Sequence, residues 1–283
     1  MSMKERSKYY EFGNSLTDFG HVEYLSKHKP KYLYQYKQGS ERNYENLLNQ
    51  KVWLSFPLYL NDPFEYEYGA YSNGVLISCF TEKYDSLLMW SHYANGHSGF
   101  CIKYKFDDIW NCFNSSLFPV IYGSERFKPV LKDSGNAGEI ISTFSHKASE
   151  WKYEKEWRVI KLISIVDKNF PNLHAQKGEL SDMAKPVEII MGCHYYDNDN
   201  KFKLAKYCKE NNIVLYRMHM KDSEYQLYKR KQQFSWYDPP EDNLDDYIKE
   251  YLRTDVAKRD MKKMEELENK YQKVLNDKMK NYL

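Results

Sequence analysis

The stretch Ser78–Tyr104 constrains the fold more than any other, because polar residues capable of chemistry lie there between large apolar ones. Its pattern predicts a strand over Val75–Phe80, a short helix over Leu87–Tyr93 and a second strand over Gly99–Lys105. The leucine, tryptophan and tyrosine side chains of that helix are costly to expose together, so we expect it to be buried on at least one side. This strand–helix–strand unit is therefore predicted to form the centre of the fold.

Other segments carry the periodicity of strands or helices. Strands are predicted over Lys31–Lys37, Lys51–Phe56, Pro119–Tyr122, Trp151–Ile163, Lys185–Cys193 and Ile213–His219. Helices are predicted over Ser40–Gln50, Glu139–Ala148 and Asp199–Asn212. Together these elements predict an α+β fold with packing helices and a mixed, mostly antiparallel sheet, which is either continuous or split. The last two strands and the helix between them are expected to form a crossover unit.

The composition limits the classes of protein to which the chain can belong. Aromatic residues make up 17% of the 283 residues and include 27 tyrosines. Aromatic rings bury much area per residue, so a chain of this length is able to form a sizeable core. A net charge of +2 argues against a general polyanion-binding surface, although a local basic patch is compatible with it.

The cysteines and the lack of long apolar runs indicate the compartment. The five cysteines have no CxxC spacing, so neither structural zinc nor a disulfide scaffold is expected. Cys193 and His194 are adjacent, and adjacent side chains on regular structure do not easily face one metal, so no metal site is predicted. The N-terminal residues lack an apolar signal region and no long apolar span occurs, so we expect a cytoplasmic protein without membrane contact.

The C-terminal region is separated from the rest of the chain by Asp238–Pro240. Glu241–Leu283 lacks glycine and proline and spaces its apolar residues at helical intervals. We therefore predict one α+β domain over residues 1–240 and a helical extension over residues 241–283. The extension either packs on the domain or serves as a homodimerisation or partner-binding helix.

A rigid turn is predicted at Leu58–Glu65, after the second strand. Asn61 and Asp62 favour turns in which the side chain bonds the backbone, and Pro63 biases Asp62 away from helix. The turn is either purely architectural or a fixed platform that presents Asn61, Asp62 and Glu65 to a ligand.

The segment Trp151–Ile163 carries the strongest chemical signal. On a strand, Glu154, Glu156 and Arg158 share one face, with alternate residues about 6–7 Å apart. Repulsion between the two carboxylates raises the pKa of one, while Arg158 keeps Glu156 ionised. This predicts one carboxylate poised for proton exchange and one paired with arginine. Two alternatives stay open: a solvated charged face flanked by core tryptophans, or a helix in which Glu154 and Arg158 form an ordinary i,i+4 pair.

Common catalytic motifs are absent, since there is no P-loop, GxGxxG, HExxH or GxSxG sequence. What remains is a dispersed set of polar residues near predicted strand ends or on the short helix. The set consists of Asn61, Asp62, Glu65, His92, Tyr93, Glu154, Glu156 and Arg158. On its packed helix, His92 is either a tuned catalytic group or a satisfied core histidine.

Several motifs, taken in order, resemble the bacterial domain-of-unknown-function family 2971. They are YLYQYK at Tyr32–Lys37, VWLSFPLYLNDPFE at Val52–Glu65, ISCFTEKYDSLLMWSHYANGHSGFCIKY at Ile77–Tyr104, VIYGSERF at Val120–Phe127, WKYEKEWRVI at Trp151–Ile160 and EIIMGC at Glu188–Cys193. The resemblance covers roughly Tyr32–Tyr228 and leaves the C-terminal helix outside. It implies a cytoplasmic bacterial or prophage-borne protein and suggests a role in phage defence.

A weaker resemblance is to ADP-ribosyltransferase folds, which bind NAD in the cleft of a split sheet. Glu154–Glu156 resembles their ExE arrangement, in which the second Glu contacts the ribose hydroxyl and assists an oxocarbenium-like reaction. The resemblance implies NAD as cofactor and Glu156 as the essential carboxylate. The sequence departs from such enzymes by carrying Gln35 and Lys37 where they use Arg or His, and by lacking an STS-like segment.

Two functional hypotheses of different classes follow. The first is a phage-defence or toxin-like effector whose polar cleft acts on a nucleotide or nucleic-acid-linked substrate, as in NAD-dependent ADP-ribosyl transfer. The second is a non-catalytic binding or sensor module that recruits a protein partner through its C-terminal helix.

The first hypothesis assigns a role to each candidate residue. The catalytic residues are Glu156, Glu154 and His92, with His92 as hydrogen-bond donor or proton shuttle. The substrate-binding residues are Arg158, Asn61, Asp62, Glu65, Tyr93, Tyr34 and Lys37. The hypothesis predicts that His92, Asp62 and Glu156 converge in one cleft.

Overall fold

The computed structural model of the protein describes residues 28–65, 74–114, 116–125, 137–163, 177–195 and 199–232, together with Lys262. The chain divides into two units, Met1–Gln233 and Phe234–Leu283, and the fold given below is that of the first. The helical extension predicted over residues 241–283 lies outside the described residues, apart from the helical and exposed Lys262. It stays a prediction.

Strands dominate the described part of the chain. They are β1 (Tyr32–Lys37), β2 (Lys51–Ser55), β3 (Val75–Thr81), β4 (Phe100–Lys105), β5 (Leu117–Pro119), β6 (Ile121–Gly123), β7 (His146–Ala148), β8 (Glu156–Leu162), β9 (Gly178–Asp182), β10 (Glu188–Met191), β11 (Val214–Met220) and β12 (Leu227–Lys231). The α-helices between them are α1 (Glu41–Leu48), α2 (Leu87–Tyr93), α3 (Phe106–Cys112), α4 (Ala137–Phe144) and α5 (Asp199–Glu210). Short 3₁₀ turns cover Pro57–Tyr59, Pro63–Glu65 and Ser149–Glu154.

Most strands join one mixed sheet in the order β12-β11-β10-β4-β1-β3-β2-β9. β8 pairs with β3 on one side and with β5 on the other, so both also belong to this sheet. β6 and β7 form a separate two-stranded parallel sheet. Among the described pairs of the main sheet, β10 and β11 are parallel and the others are antiparallel. The predicted α+β class with a mostly antiparallel sheet is confirmed.

The sheet is divided where two strands share one edge of β3. β1 pairs with β3 at Tyr34 and Thr81, and β2 pairs with β3 at Ser55 and Ile77. The opposite edge of β3 is bonded to β8 along its full length. β1 and β2 therefore diverge from β3 as a fork, and the stretch of β3 between the two contacts faces the gap.

A buried glutamine satisfies part of the open edge of β3. Gln35 Nε2 donates to Ser78 Oγ at 3.0 Å and to the Cys79 carbonyl at 3.1 Å. Buried backbone carbonyls need a hydrogen-bond partner, and here a side chain supplies what a neighbouring strand supplies elsewhere. Gln35 thus holds β1 against β3 just where their regular pairing stops.

Two helices cover opposite faces of the sheet beside the fork. Successive strand residues point to opposite faces, so Tyr36 lies on one face and Lys37, with its cross-strand partner Phe100, lies on the other. α2 packs Trp90 against Tyr36, with ring centroids 5.0 Å apart. α1 packs Tyr44 against Phe100, with ring centroids 4.9 Å apart.

Both helices begin at serine N-caps whose hydroxyl oxygens accept a backbone N–H of the first turn. Ser40 accepts from Asn43 at the start of α1, and Ser86 accepts from Met89 at the start of α2. The bounds of α2 are those predicted from the sequence. Met89 and Trp90 are buried, which confirms the prediction of a buried face.

The predicted crossover unit is also confirmed. β10, α5 and β11 follow one another, and β10 pairs with β11 in parallel from Glu188 and Val214 onward. A parallel pair requires such a long connection, and α5 provides it with buried Leu204, Ala205 and Cys208.

One strand prediction is wrong at its start. Trp151–Ile163 was expected to be extended throughout, but Ser149–Glu154 forms a 3₁₀ turn and the strand begins at Glu156. Lys155 separates the two with left-handed backbone angles, φ 44° and ψ 52°. The predicted strand face shared by Glu154 with Glu156 and Arg158 is therefore wrong, because Glu154 belongs to the turn.

Within the described residues, no helix is long and apolar enough to cross a membrane. All five cysteines are described and each is a free thiol.

Gly99 lies between the turn after α2 and the start of β4, close to the end of β1. It permits a test of this packing. A Cβ at Gly99 would lie 2.1 Å from the Lys37 carbonyl oxygen and 3.0 Å from that of Ala94. Overpacking of this kind costs about 1–3 kcal/mol, so Gly99→Ala is expected to lower the free energy of unfolding by that amount in urea denaturation. Gly123→Ala is the matched control, because its nearest atom would be 3.5 Å away. Equal losses in both variants would contradict the close approach.

Candidate functional site

A cavity of about 440 Å³ lies at the fork. Its walls come from both faces of the sheet, since α2 contributes Met89 and Tyr93 and α1 contributes Arg42 and Asn43. The open edge of β3, Ser78–Phe80, lines it between the two helices. The charged residues of the lining are Lys37, Arg42, Lys147, Glu154, Glu156 and Arg158.

Two carboxylates and two cations of this lining form a buried ion cluster. Lys147 Nζ lies 2.7 Å from Glu154 Oε2 and 3.2 Å from Glu156 Oε2. Arg158 binds Glu156 in a bidentate manner, with Nε 2.8 Å from Oε1 and Nη2 3.0 Å from Oε2. None of the four side chains is more than 5% exposed. We call these four residues the ion cluster.

Glu156 has its acceptor capacity filled. A carboxylate offers roughly four acceptor positions, and Glu156 uses them for Arg158 twice, for Lys147 once and for the Cys79 thiol. Burial on its own would raise the pKa of Glu156, but the charges of Arg158 and Lys147 outweigh it and lower that pKa from about 4.5 to about 2. Glu156 therefore stays ionised and anchors its neighbours.

Glu154 is held by fewer contacts. The Tyr93 hydroxyl donates to its Oε1 at 2.5 Å, and Lys147 donates to its Oε2. Burial and the charge of Glu156 raise the pKa of Glu154, against the opposing effects of Lys147 and Tyr93. Glu154 therefore keeps acceptor capacity for a ligand and takes up a proton more readily than an exposed glutamate.

The pair thus has the asymmetry predicted from the sequence, with one carboxylate of raised pKa and one carboxylate paired with arginine. The two glutamates were predicted to meet on one strand face, but Glu154 lies in the 3₁₀ turn and Glu156 lies on the strand. Thr81 Oγ1 donates to the Glu154 carbonyl, and the Glu82 N–H donates to the Lys155 carbonyl at 3.3 Å. These contacts fix the end of the 3₁₀ turn to β3, so that Glu154 from the turn and Glu156 from the strand meet at Lys147.

Lys147 is the member of the ion cluster that the sequence did not reveal. It lies on β7, in a segment predicted to be helical, and α4 ends before it at Phe144. Its Nζ is 4.5 Å from the centroid of the Trp151 ring. No motif marks Lys147, because a strand of three residues leaves no readable periodicity.

A second pair of cations lines the cavity from β1 and α1. Lys37 is partly buried at the end of β1, and burial lowers its pKa to about 8. The Arg42 guanidinium carbon lies 4.1 Å from the centroid of the Trp53 ring, which also lines the cavity. Among the described residues, neither Lys37 nor Arg42 has a carboxylate within ion-pairing distance. Lys37 was a candidate from the sequence, whereas Arg42 was not.

The other sequence candidates divide between the cavity and its surroundings. Asn61 lines the cavity beside Tyr93. Asp62 is buried outside the lining, where its Oδ1 accepts the Phe64 N–H at 3.0 Å, so it serves the turn. Tyr34 lies outside the lining with its ring centroid 5.4 Å from that of Tyr84.

His92 does not lie in the cavity, although it was predicted to be a catalytic residue there. Its side chain is exposed and is absent from the cavity lining, with the Tyr93 and Tyr153 rings as its aromatic neighbours at 6.2 and 6.5 Å. The predicted convergence of His92, Asp62 and Glu156 in one cleft is wrong, since only Glu156 lines the cavity. The Glu65 side chain lies outside the described part of the chain.

No group of three or more His, Cys, Asp or Glu side chains is arranged to hold a metal ion within the described ranges. Arg158 and Lys147 supply the positive charge that a cation would supply in a metal-dependent carboxylate site. The ion cluster offers a ligand hydrogen bonds, proton exchange at Glu154 and electrostatic stabilisation.

A family model described as Protein of unknown function (DUF2971) matches residues 89–159. The resemblance to DUF2971 is confirmed over this segment. The DUF2971 segment runs from α2 into β8 and contains Tyr93 and the whole ion cluster, whereas Lys37 and Arg42 precede it. A search of curated proteins and a search of solved structures each found no match.

The ion cluster makes a prediction about stability. Glu156→Gln leaves the guanidinium of Arg158 buried without its carboxylate, and breaking a buried pair in this way costs about 3–5 kcal/mol. We expect a loss of this size in the free energy of unfolding at pH 7, measured by urea denaturation. Glu179→Gln is the control, because its pair with Lys161 is partly exposed and is expected to cost less than about 1 kcal/mol.

The difference in free energy of unfolding between wild type and Glu156→Gln has a defined pH dependence. The pKa of Glu156 is lower in the folded chain than in the unfolded chain, so its stabilising contribution is complete above about pH 4.5 and is lost as the pH falls towards 2. The difference in stability between wild type and Glu156→Gln should therefore shrink over that interval. A difference that is small at pH 7, or unchanged at pH 3, would contradict the assignment.

Proposed function

We propose that the cavity is the active site of an enzyme that acts on a nucleotide, with Glu154 as the group that exchanges a proton with the substrate. The observation that carries the proposal is the buried, asymmetric carboxylate pair in the lining of a cavity at the fork. The volume falls within the range of about 300–1,000 Å³ that small-molecule sites occupy. Buried carboxylates with separated pKa values are typical of acid–base catalysis.

The contacts favour Glu154 over Glu156 for the proton-exchanging role. Glu156 is saturated by Arg158 and Lys147 and is held ionised, whereas Glu154 has open acceptor positions and a raised pKa. A general base works best when its pKa is close to the working pH. The ExE resemblance pointed to Glu156, and the geometry supports exchanging the two roles.

We take the nicotinamide nucleotide NAD as the substrate, because the fork divides the sheet and ADP-ribosyltransferase folds bind NAD in the cleft of a split sheet. In the proposed reaction the bond from C1′ of the ribose to the nicotinamide nitrogen breaks, and its electron pair leaves with nicotinamide. Water supplies the oxygen that bonds to C1′ and passes a proton to Glu154. When a macromolecular hydroxyl takes the place of water, the same step transfers ADP-ribose.

The ion cluster has a part in this step. The ribosyl carbon becomes positively charged as nicotinamide leaves, and the fixed carboxylates stabilise that charge. Lys147 and Tyr93 hold the Glu154 carboxylate in one orientation. We place this activity in a phage-defence or toxin-like effector, in keeping with the DUF2971 resemblance.

Replacement of Glu154 tests the proposal. Glu154→Gln keeps the size of the side chain and an acceptor for Tyr93 but cannot take a proton. Loss of a general base lowers rates by about 10²–10⁴-fold, so we expect nicotinamide release from NAD to fall by that factor. The measurement is chromatographic quantification of nicotinamide after incubation of NAD with the purified full-length chain.

The matched control is Glu150→Gln, an exposed glutamate of the same 3₁₀ turn that does not line the cavity. It is expected to retain wild-type release. A folded Glu154→Gln chain with full activity would contradict the role of Glu154. A wild-type chain that binds NAD without releasing nicotinamide would favour the binding-module hypothesis. The same variants, expressed in a bacterial host and scored for growth arrest and phage plating, test the effector role.

A further inference from the structure

The charges of the cavity lining are balanced on one side only. In the ion cluster, the two carboxylates of Glu154 and Glu156 face the two cations Lys147 and Arg158, so this group is neutral when all four are ionised. The other charged lining residues, Lys37 and Arg42, are both cations. The cavity as a whole is therefore electropositive, and the excess charge lies on the β1–α1 side.

Lys37 lacks a counter-charge in the described part of the chain. Burial is the main cause of its lowered pKa, and the charge of Arg42 acts in the same direction. A partly buried ammonium without a carboxylate is costly, and an anion bound in the cavity would remove that cost.

Arg42 is exposed, and its guanidinium contacts an aromatic ring of the cavity lining. Its guanidinium lies over the Trp53 ring, and a stacked guanidinium carries its N–H donors around its edge, where they can meet a planar or tetrahedral anion. The described residues offer it no carboxylate within ion-pairing distance. A guanidinium beside a cavity is suited to bind phosphate in a bidentate manner.

The short link between the two cations is ordered. Asn43 Nδ2 donates to the Gln38 carbonyl at 2.9 Å, and the Ser40 N–H donates to the same carbonyl at 2.9 Å. These bonds tie the loop after Lys37 to the first turn of α1, which carries Arg42. The backbone that carries the two cations is therefore ordered before any ligand binds.

We propose that Lys37 and Arg42 form the binding wall for the phosphate groups of the substrate, so that the cavity selects phosphorylated nucleotides over neutral nucleosides. The inference rests on the proposed function, because it names the substrate class of the same cavity. With the phosphates on this wall, the sugar extends along the fork towards Glu154. Lys37 and Arg42 thereby act as binding residues and Glu154 as the catalytic residue.

Calorimetric titration of the full-length chain with ADP, adenosine and inorganic pyrophosphate tests this wall. Wild type should bind ADP at least tenfold more tightly than adenosine and should bind pyrophosphate competitively with ADP.

Loss of one charged contact weakens binding by about tenfold or more, so Lys37→Gln and Arg42→Gln should each reduce ADP affinity by that factor. Adenosine affinity should not change. Lys105→Gln, an exposed lysine outside the cavity, controls for net charge.

The outcomes separate this inference from the proposed reaction. Glu154→Gln should bind ADP as wild type does, because the phosphates contact Lys37 and Arg42. A wild-type chain that releases no nicotinamide from NAD but binds ADP more tightly than adenosine would count against the reaction and in favour of the wall. The wall is overturned if ADP binds no more tightly than adenosine, if wild type binds neither ADP nor pyrophosphate, or if folded Lys37→Gln and Arg42→Gln chains bind ADP as wild type does.

Discussion

The bidentate pair of Glu156 and Arg158 is the interaction on which the rest of the site depends. Arg158 is 1% exposed, and it also donates from Nη1 to the Phe144 carbonyl at 2.8 Å at the end of α4. Through Lys147 the same pair reaches Glu154 in the 3₁₀ turn. One ion pair thus joins β8, α4, β7 and the turn, and it adds to the apolar packing of Phe144 and Ile160 in one core cluster. Because a buried charge without its partner is costly, these elements are bound to one arrangement.

The consequence for function is a cavity with two unlike sides. The pair fixes Glu156 as an ionised anchor, and its charge is one reason why the pKa of Glu154 rises. The fork keeps β1 and β2 apart, so that Lys37 and Arg42 enter the same cavity from the other side. A nucleotide has the complementary polarity, with phosphates at one end and a sugar with hydroxyl groups beside them.

Much of the fold was predictable, because local patterns determine it. The periodicity of α2 and the order of β10, α5 and β11 are properties of short segments. The carboxylate pair was also predictable, since Glu154 and Glu156 are close in sequence. The fork, Lys147 and Arg42 were not, because each depends on pairing between distant segments. The error at His92 had a readable signal: successive helix residues are about 100° apart, so Trp90 and Tyr93 share a face that His92 does not.

Titration of the individual glutamate carboxyls by ¹³C NMR tests the central claim, the asymmetry of the buried pair, most directly. Spectra of Glu154→Gln and Glu156→Gln chains assign the two resonances. We expect Glu154 to titrate above the exposed glutamates and Glu156 to titrate below them. Coincidence of both carboxyls with the exposed glutamates, or the reverse order, would contradict this expectation.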